Sequence, residues 1–93
     1  MKSLSELRAQ IDETDTVILL AVATRLDLCR EVAEWKRTLG LPVRQPERIA
    51  AVRKRYRSEG QQQGLREAFA EELYELLLAE AHSIEDAVVA AGS

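Results

Sequence analysis

The sequence predicts an all-α protein of three helices, long, short and long, joined with a second copy of itself in an intertwined homodimer. Three observations carry the three helices. Of the 93 residues, 46% are apolar and 31% charged, with only four aromatic side chains, and Ala, Leu, Glu and Arg dominate the rest, a helix-forming composition. Apolar residues recur at intervals of three and four, the period of a helix face. The helix breakers fall into two short stretches, Gly40 to Pro46 and Gly60 to Gly64, apart from Gly92 near the C-terminal end.

The first helix spans roughly 4–38. Ser3 followed by Glu6 reads as a capping box, and no Pro or Gly appears until Gly40. Its seam can be laid out as Leu4, Leu7, Ile11, Thr14, Ile18, Ala21, Arg25, Leu28, Val32 and Trp35, a mostly apolar stripe interrupted by Arg25. Gly40-Leu41-Pro42 ends it, since Gly supplies a C-cap and the residue before Pro is pushed out of helical geometry. Pro46 suits the first turn of a second helix over about 46–58 that carries Ile49, Val52 and Tyr56 among many basic residues. Gly60 to Gly64, with three glutamines between, reads as a polar loop. The third helix, about 65–90, is expected to bury Phe69, Leu73, Leu76, Leu77, Ile84 and Val88, and residues 90–93 read as a fraying tail.

A helix of this first length is roughly 50 Å long at about 1.5 Å per residue, whereas a compact globule of this size is only about 30–35 Å across. It overhangs any monomeric core, and at 93 residues the chain is at the small end of what buries a self-sufficient core. One domain spanning 1–93, completed by a partner chain along the long helix, is the expected organisation, with no appended regulatory domain.

Composition also excludes several classes of function. A net charge of −3 from 13 basic and 16 acidic side chains gives no bulk attraction to nucleic acid or to an anionic membrane. The N-terminus enters a charged amphipathic stretch without a signal-peptide core, and no apolar run reaches the length of a membrane span. Cys29 is the single cysteine, so no disulfide framework or metal-type spacing exists and a cytoplasmic setting is expected. His82 and Cys29 lack partners at ligand or dyad spacing and are assigned no role.

An anion must therefore be met by a local cluster of cations. Arg25 and Lys36 are eleven residues apart, about three turns, so they share a face within roughly 20° and lie about 16 Å apart along the axis. Arg8 precedes Arg25 by seventeen residues, which puts it roughly 25 Å away and about 100° around the helix. One straight helix cannot bring Arg8 to the others, but in an antiparallel dimer the start of one long helix lies against the middle of its partner. Singly, Arg8, Lys36, Arg44 and Arg48 are ordinary surface cations, and Arg25 could pair with Glu75 or Glu80; Arg53, Lys54, Arg55 and Arg57 read as a solvated face.

The ordered set Leu7-Arg8-x-x-Ile11-Asp12-x-x-Asp15, Arg25, Lys36 and Pro42-Val43-Arg44-x-x-x-Arg48 resembles the all-helical class of chorismate mutases over nearly the whole chain. The resemblance implies that Arg8 of the partner chain, with Arg25, Lys36 and Arg48, binds the two carboxylates and the ether oxygen of a small dicarboxylate substrate. That chemistry breaks an ether C–O bond while a C–C bond forms, which requires orientation and charge stabilisation but no cofactor and no metal. Arginine forks suit the carboxylates, and a lysine donor suits the charge that develops on the ether oxygen.

The match departs from the bacterial pattern at four positions. Ile49 stands where an acidic residue accepts the C4 hydroxyl, Gln45 where an aspartate is expected, and Ala81 and Glu85 where the third helix carries a serine and a glutamine. Glu85 is similar to the glutamate of fungal mutases, which implies a protonated carboxyl donating to the ether oxygen. Arg44-Gln45-Pro46-x-Arg48-Ile49 with Ile84-Glu85-Asp86 also resembles the 4-amino-4-deoxychorismate mutases of p-aminophenylalanine pathways, and Pro46 to Ala51 is similar to isochorismate-pyruvate lyases. The expected function is therefore rearrangement of chorismate or its 4-amino analogue. An isochorismate-pyruvate lyase is the alternative enzyme, and a non-catalytic helical dimerisation module the alternative of another class.

Overall fold

The computed structural model describes residues 1–92. It contains α1 (Leu4–Leu39), α2 (Pro46–Gln62) and α3 (Glu67–Ala91), with no strand among the described residues. The Ser3 hydroxyl accepts the Glu6 amide at 3.1 Å and starts α1. Gly40 ends it in the left-handed region at φ 69°, where the amides of Gly40 and Leu41 reach back to the carbonyls of Arg37 and Lys36.

α3 is the central element. It packs against both α1 and α2, while α1 and α2 do not pack on one another. Two helices held apart on a common third leave a cleft between them, and that cleft is floored by α3.

The second helix is longer than expected, because Gly60, Gln61 and Gln62 are helical rather than a loop. Gly60 is buried where α2 and α3 converge, and a Cβ added there would lie 3.1 Å from the Ala70 Cβ. Its missing side chain thus serves close packing, and the turn falls to Gly64, at φ 79°. The amides of Gly64 and Leu65 close the turn on Gln61 and Gly60. At the other end, Ala90 and Ala91 are helical rather than frayed, Gly92 caps the helix, and Ser93 lies outside the described residues.

The inward face of α3 also differs. Its buried residues are Ala70, Tyr74, Ala81 and Glu85, whereas Phe69, Leu73 and Leu76, expected inside, are exposed, Leu76 at 72%. Leu77, Ile84 and Val88 are half-buried. Apolar residues surround most of α3, so its period marks more than one stripe, and the protomer packs the small one. On α1 the same holds: Leu28 and Trp35 are exposed, and Val22, Arg25, Leu26, Cys29 and Lys36 are the partly covered positions beside buried Ala33.

Tyr74 joins α2 to α3. Its ring lies 4.9 Å from that of Tyr56 at a 44° tilt, the Arg53 guanidinium sits 5.7 Å above it, and its hydroxyl donates to the Ile49 carbonyl at 3.4 Å. Arg53–Glu75 and Arg57–Glu71 lace the same two helices at the surface, Arg44–Asp86 ties the connection before α2 to α3, and Arg55 pairs with Glu59 within α2.

The chain is elongated, 57 × 25 × 14 Å, with a radius of gyration of 16.7 Å, against about 12 Å for a compact chain of this length. Residues 4–21 of α1 are exposed throughout, including Leu4, Leu7, Ile11, Val17, Ile18, Leu19 and Leu20. No helix among the described residues is long and apolar enough to cross a membrane.

Candidate active site

α1 supplies one wall of the cleft through Arg25, Cys29, Val32 and Lys36, whose spacing of four, three and four keeps them on one face. The connection after α1 adds Val43 and Gln45, and α2 adds Arg48, Ile49 and Val52. α3 forms the floor with Tyr74, Leu78, Ala81, His82 and Glu85. Together they enclose a cavity of about 360 Å³, at the small end of ligand sites.

Lys36 is the hub. Its ammonium donates to the Val43 carbonyl at 2.6 Å and to Glu85 Oε1 at 2.7 Å, so it ties α1 to both the connection and α3. Glu85 is 4% exposed, the one charged residue in the buried set, and it pairs with Lys36 through a single oxygen. An ammonium has three N–H donors; the third N–H of Lys36 is engaged by no described residue.

The arginines are uncommitted. Arg25 lies within 3.9 Å of the Cys29 sulfur but forms an ion pair with neither Glu75 nor Glu80, and Glu75 is taken by Arg53. Arg48 likewise has no ion-pair partner among the described residues. Arg25, Lys36 and Arg48 against Glu85 leave the cavity with two uncompensated positive charges. Arg25, half-covered and without a carboxylate, is costly unless a ligand supplies one, and with the exposed Arg48 beside it the cleft suits an anion.

The neutral lining is held neutral. Burial pushes the Cys29 thiol up, with Arg25 opposing, and burial also raises the Tyr74 hydroxyl against the pull of Arg25 and Arg53. Burial, followed by the positive charge of Arg44, pushes His82 below its ordinary range. Arg44 itself is turned to Asp86, in a two-pronged pair at 2.9 and 3.0 Å.

Of the residues singled out from sequence, Arg25, Lys36, Gln45, Arg48, Ile49, Ala81 and Glu85 come together around this one cavity. Arg8 does not: it is exposed on the overhanging part of α1 and lines no part of the cleft. Cys29 and His82, assigned no role from sequence, line it, as does Tyr74. The signal for Cys29 was its place four residues after Arg25 and seven before Lys36; that for His82 was its place between Ala81 and Glu85. Among the described residues no group of three metal-ligating side chains converges.

A three-helix scaffold with a cation-lined cleft defines a class of helical proteins suited to small anionic molecules. The family model described as chorismate mutase type II matches residues 7–86, and the chain belongs to that family and is an isomerase. It is 38% identical to a 4-amino-4-deoxychorismate mutase of Streptomyces pristinaespiralis over 96% of this chain and 69% of the relative. A 4-amino-4-deoxychorismate mutase of Streptomyces venezuelae is 35% identical over 92% and 84%, and a chorismate mutase of Methanocaldococcus jannaschii 33% identical over 84% and 79%. No solved structure matches the chain significantly.

Proposed function

We propose that this isomerase rearranges chorismate or, in preference, its 4-amino-4-deoxy analogue to the corresponding prephenate. The observation that carries the reading is the pair of uncommitted arginines, Arg25 and Arg48, flanking Lys36 in a cavity with two excess positive charges. The preference for the amine is supported by relatives of that name at 38% and 35% identity and by the apolar Ile49 on the cleft wall.

In this reading the arginines clamp the two carboxylates and hold the substrate in the compact conformer from which the C–C bond forms. The free N–H of Lys36 meets the ether oxygen as the C–O bond breaks and negative charge gathers there. Its bonds to Val43 and Glu85 pre-orient it, so stabilisation is greater in the transition state than in the ground state. Glu85, once protonated, is a second donor to the same oxygen. Gln45, Ile49 and Ala81 shape the space around the ring.

Arg8 completes the clamp from a second copy of the chain in an intertwined homodimer, a proposal supported by the exposed apolar residues along the first half of α1. A cytoplasmic setting goes with it, supported by the free thiol of Cys29. Incubation with 4-amino-4-deoxychorismate, chorismate and isochorismate separately, with product identification, tests the reading. Prephenate-type products are expected; release of salicylate and pyruvate would make the chain a lyase, and three unchanged substrates a binding module.

A further inference from the structure

With Arg25 and Arg48 assigned to the carboxylates and Lys36 and Glu85 to the ether oxygen, the polar side chains left on the cleft wall are uncharged. Gln45 donates its amide nitrogen to the Pro42 carbonyl at 3.4 Å, which leaves its amide oxygen without a donor among the described residues. His82 lines the same cavity, is half-buried, and makes no hydrogen bond to any described residue. Arg44 and Lys36 are its cationic neighbours and Glu85 and Asp86 its anionic ones. Both cations are occupied, Arg44 by Asp86 and Lys36 by Glu85.

We infer that His82 is a specificity-determining residue, whose imidazole and the Gln45 amide oxygen together accept hydrogen bonds from an amino group on the substrate ring. This rests on the mutase reading above and identifies what reads the substituent. Ile49 offers no polar atom for the task. An amine has at least two N–H donors and satisfies both acceptors. A hydroxyl has one and leaves the second acceptor desolvated and unpaired. The imidazole is suited to accept because burial and Arg44 hold it neutral.

The test is kcat/KM on 4-amino-4-deoxychorismate and on chorismate for wild type, His82→Leu and His82→Gln. Leu should lower the value for the amino substrate roughly tenfold and that for the hydroxy substrate less than about threefold, the size expected for one neutral hydrogen bond. Gln, which keeps an acceptor and is the less disruptive change, should restore most of the preference. Parallel losses on both substrates, or an unchanged ratio in both variants, would overturn the assignment and leave the mutase reading standing. A wild-type chain that converts neither substrate would remove the mutase reading, and the His82 assignment with it.

Discussion

Lys36 and Glu85 are 49 positions apart and 2.7 Å from one another, and the catalytic reading turns on what each does when substrate arrives. Lys36→Ala removes the donor to the breaking bond and should lower turnover several hundredfold or more, about 3–4 kcal/mol of transition-state stabilisation, with helical circular dichroism retained. Near-normal turnover would return Lys36 to a purely structural tie. In the free protein Glu85 accepts from an ammonium, which suits an ionised carboxylate; to donate to an ether oxygen it must hold a proton. Glu85→Gln, a permanent donor of similar shape, should keep most of the turnover. A loss as large as that of Lys36→Ala would show that Glu85 only positions Lys36 through its carboxylate.

At the scale of the elements, the turns and surface pairs between helices can be probed without touching the cleft. Gly64 is at φ 79°, and a Cβ there would meet nothing within 4 Å, so Gly64→Ala isolates the cost of the left-handed backbone. That cost is about 1 kcal/mol, which should lower Tm by roughly 4–8 °C at fixed protomer concentration; an unchanged Tm would mean that the turn relaxes. Asp86 is held below the usual carboxylate range chiefly by its hydrogen bonds to Arg44. A depressed acid contributes stability above its unfolded pKa and loses it as pH falls through the folded one. Asp86→Asn should accordingly destabilise slightly at neutral pH, the pair being exposed, and should shrink the acid-side fall in Tm. Equal acid slopes in the two proteins would show that the pair contributes nothing.

For the whole molecule, the central fact is a 57 Å protomer whose leading helix has no cover. Sedimentation should give twice the 10.4 kDa protomer mass. The proposed sharing of the site between two chains makes a sharper prediction. Arg8→Ala and Lys36→Ala chains should each be nearly inactive alone, yet co-refolded they should recover roughly a quarter of wild-type activity, since half of the two-fold dimers are mixed and each mixed dimer rebuilds one intact site. No recovery on mixing would place Arg8 outside the catalytic cluster.

Both ends of α1, the start of α2 and the alignment of Arg25 with Lys36 were legible in the residues, because capping, proline geometry and the 3.6-residue period act over a few positions of chain. Ser3, Gly40 and Pro46 bound their helices where local chemistry puts them. Three features were beyond that reach. Gly60 reads as a breaker, yet in place it is a close-packing residue, because Ala70 approaches from another helix. The stripe of α3 that faces inward is the one carrying Ala70, Tyr74, Ala81 and Glu85, a choice no periodicity can make on a helix apolar around most of its circumference. The partner of Lys36, and the entry of Cys29 and His82 into the cleft, follow from how α1 and α2 are held apart on α3. Local interactions specify which segments become helices. Which faces meet depends on burial and charge pairing between residues far apart in the chain, and these acquire definite partners when the helices pack.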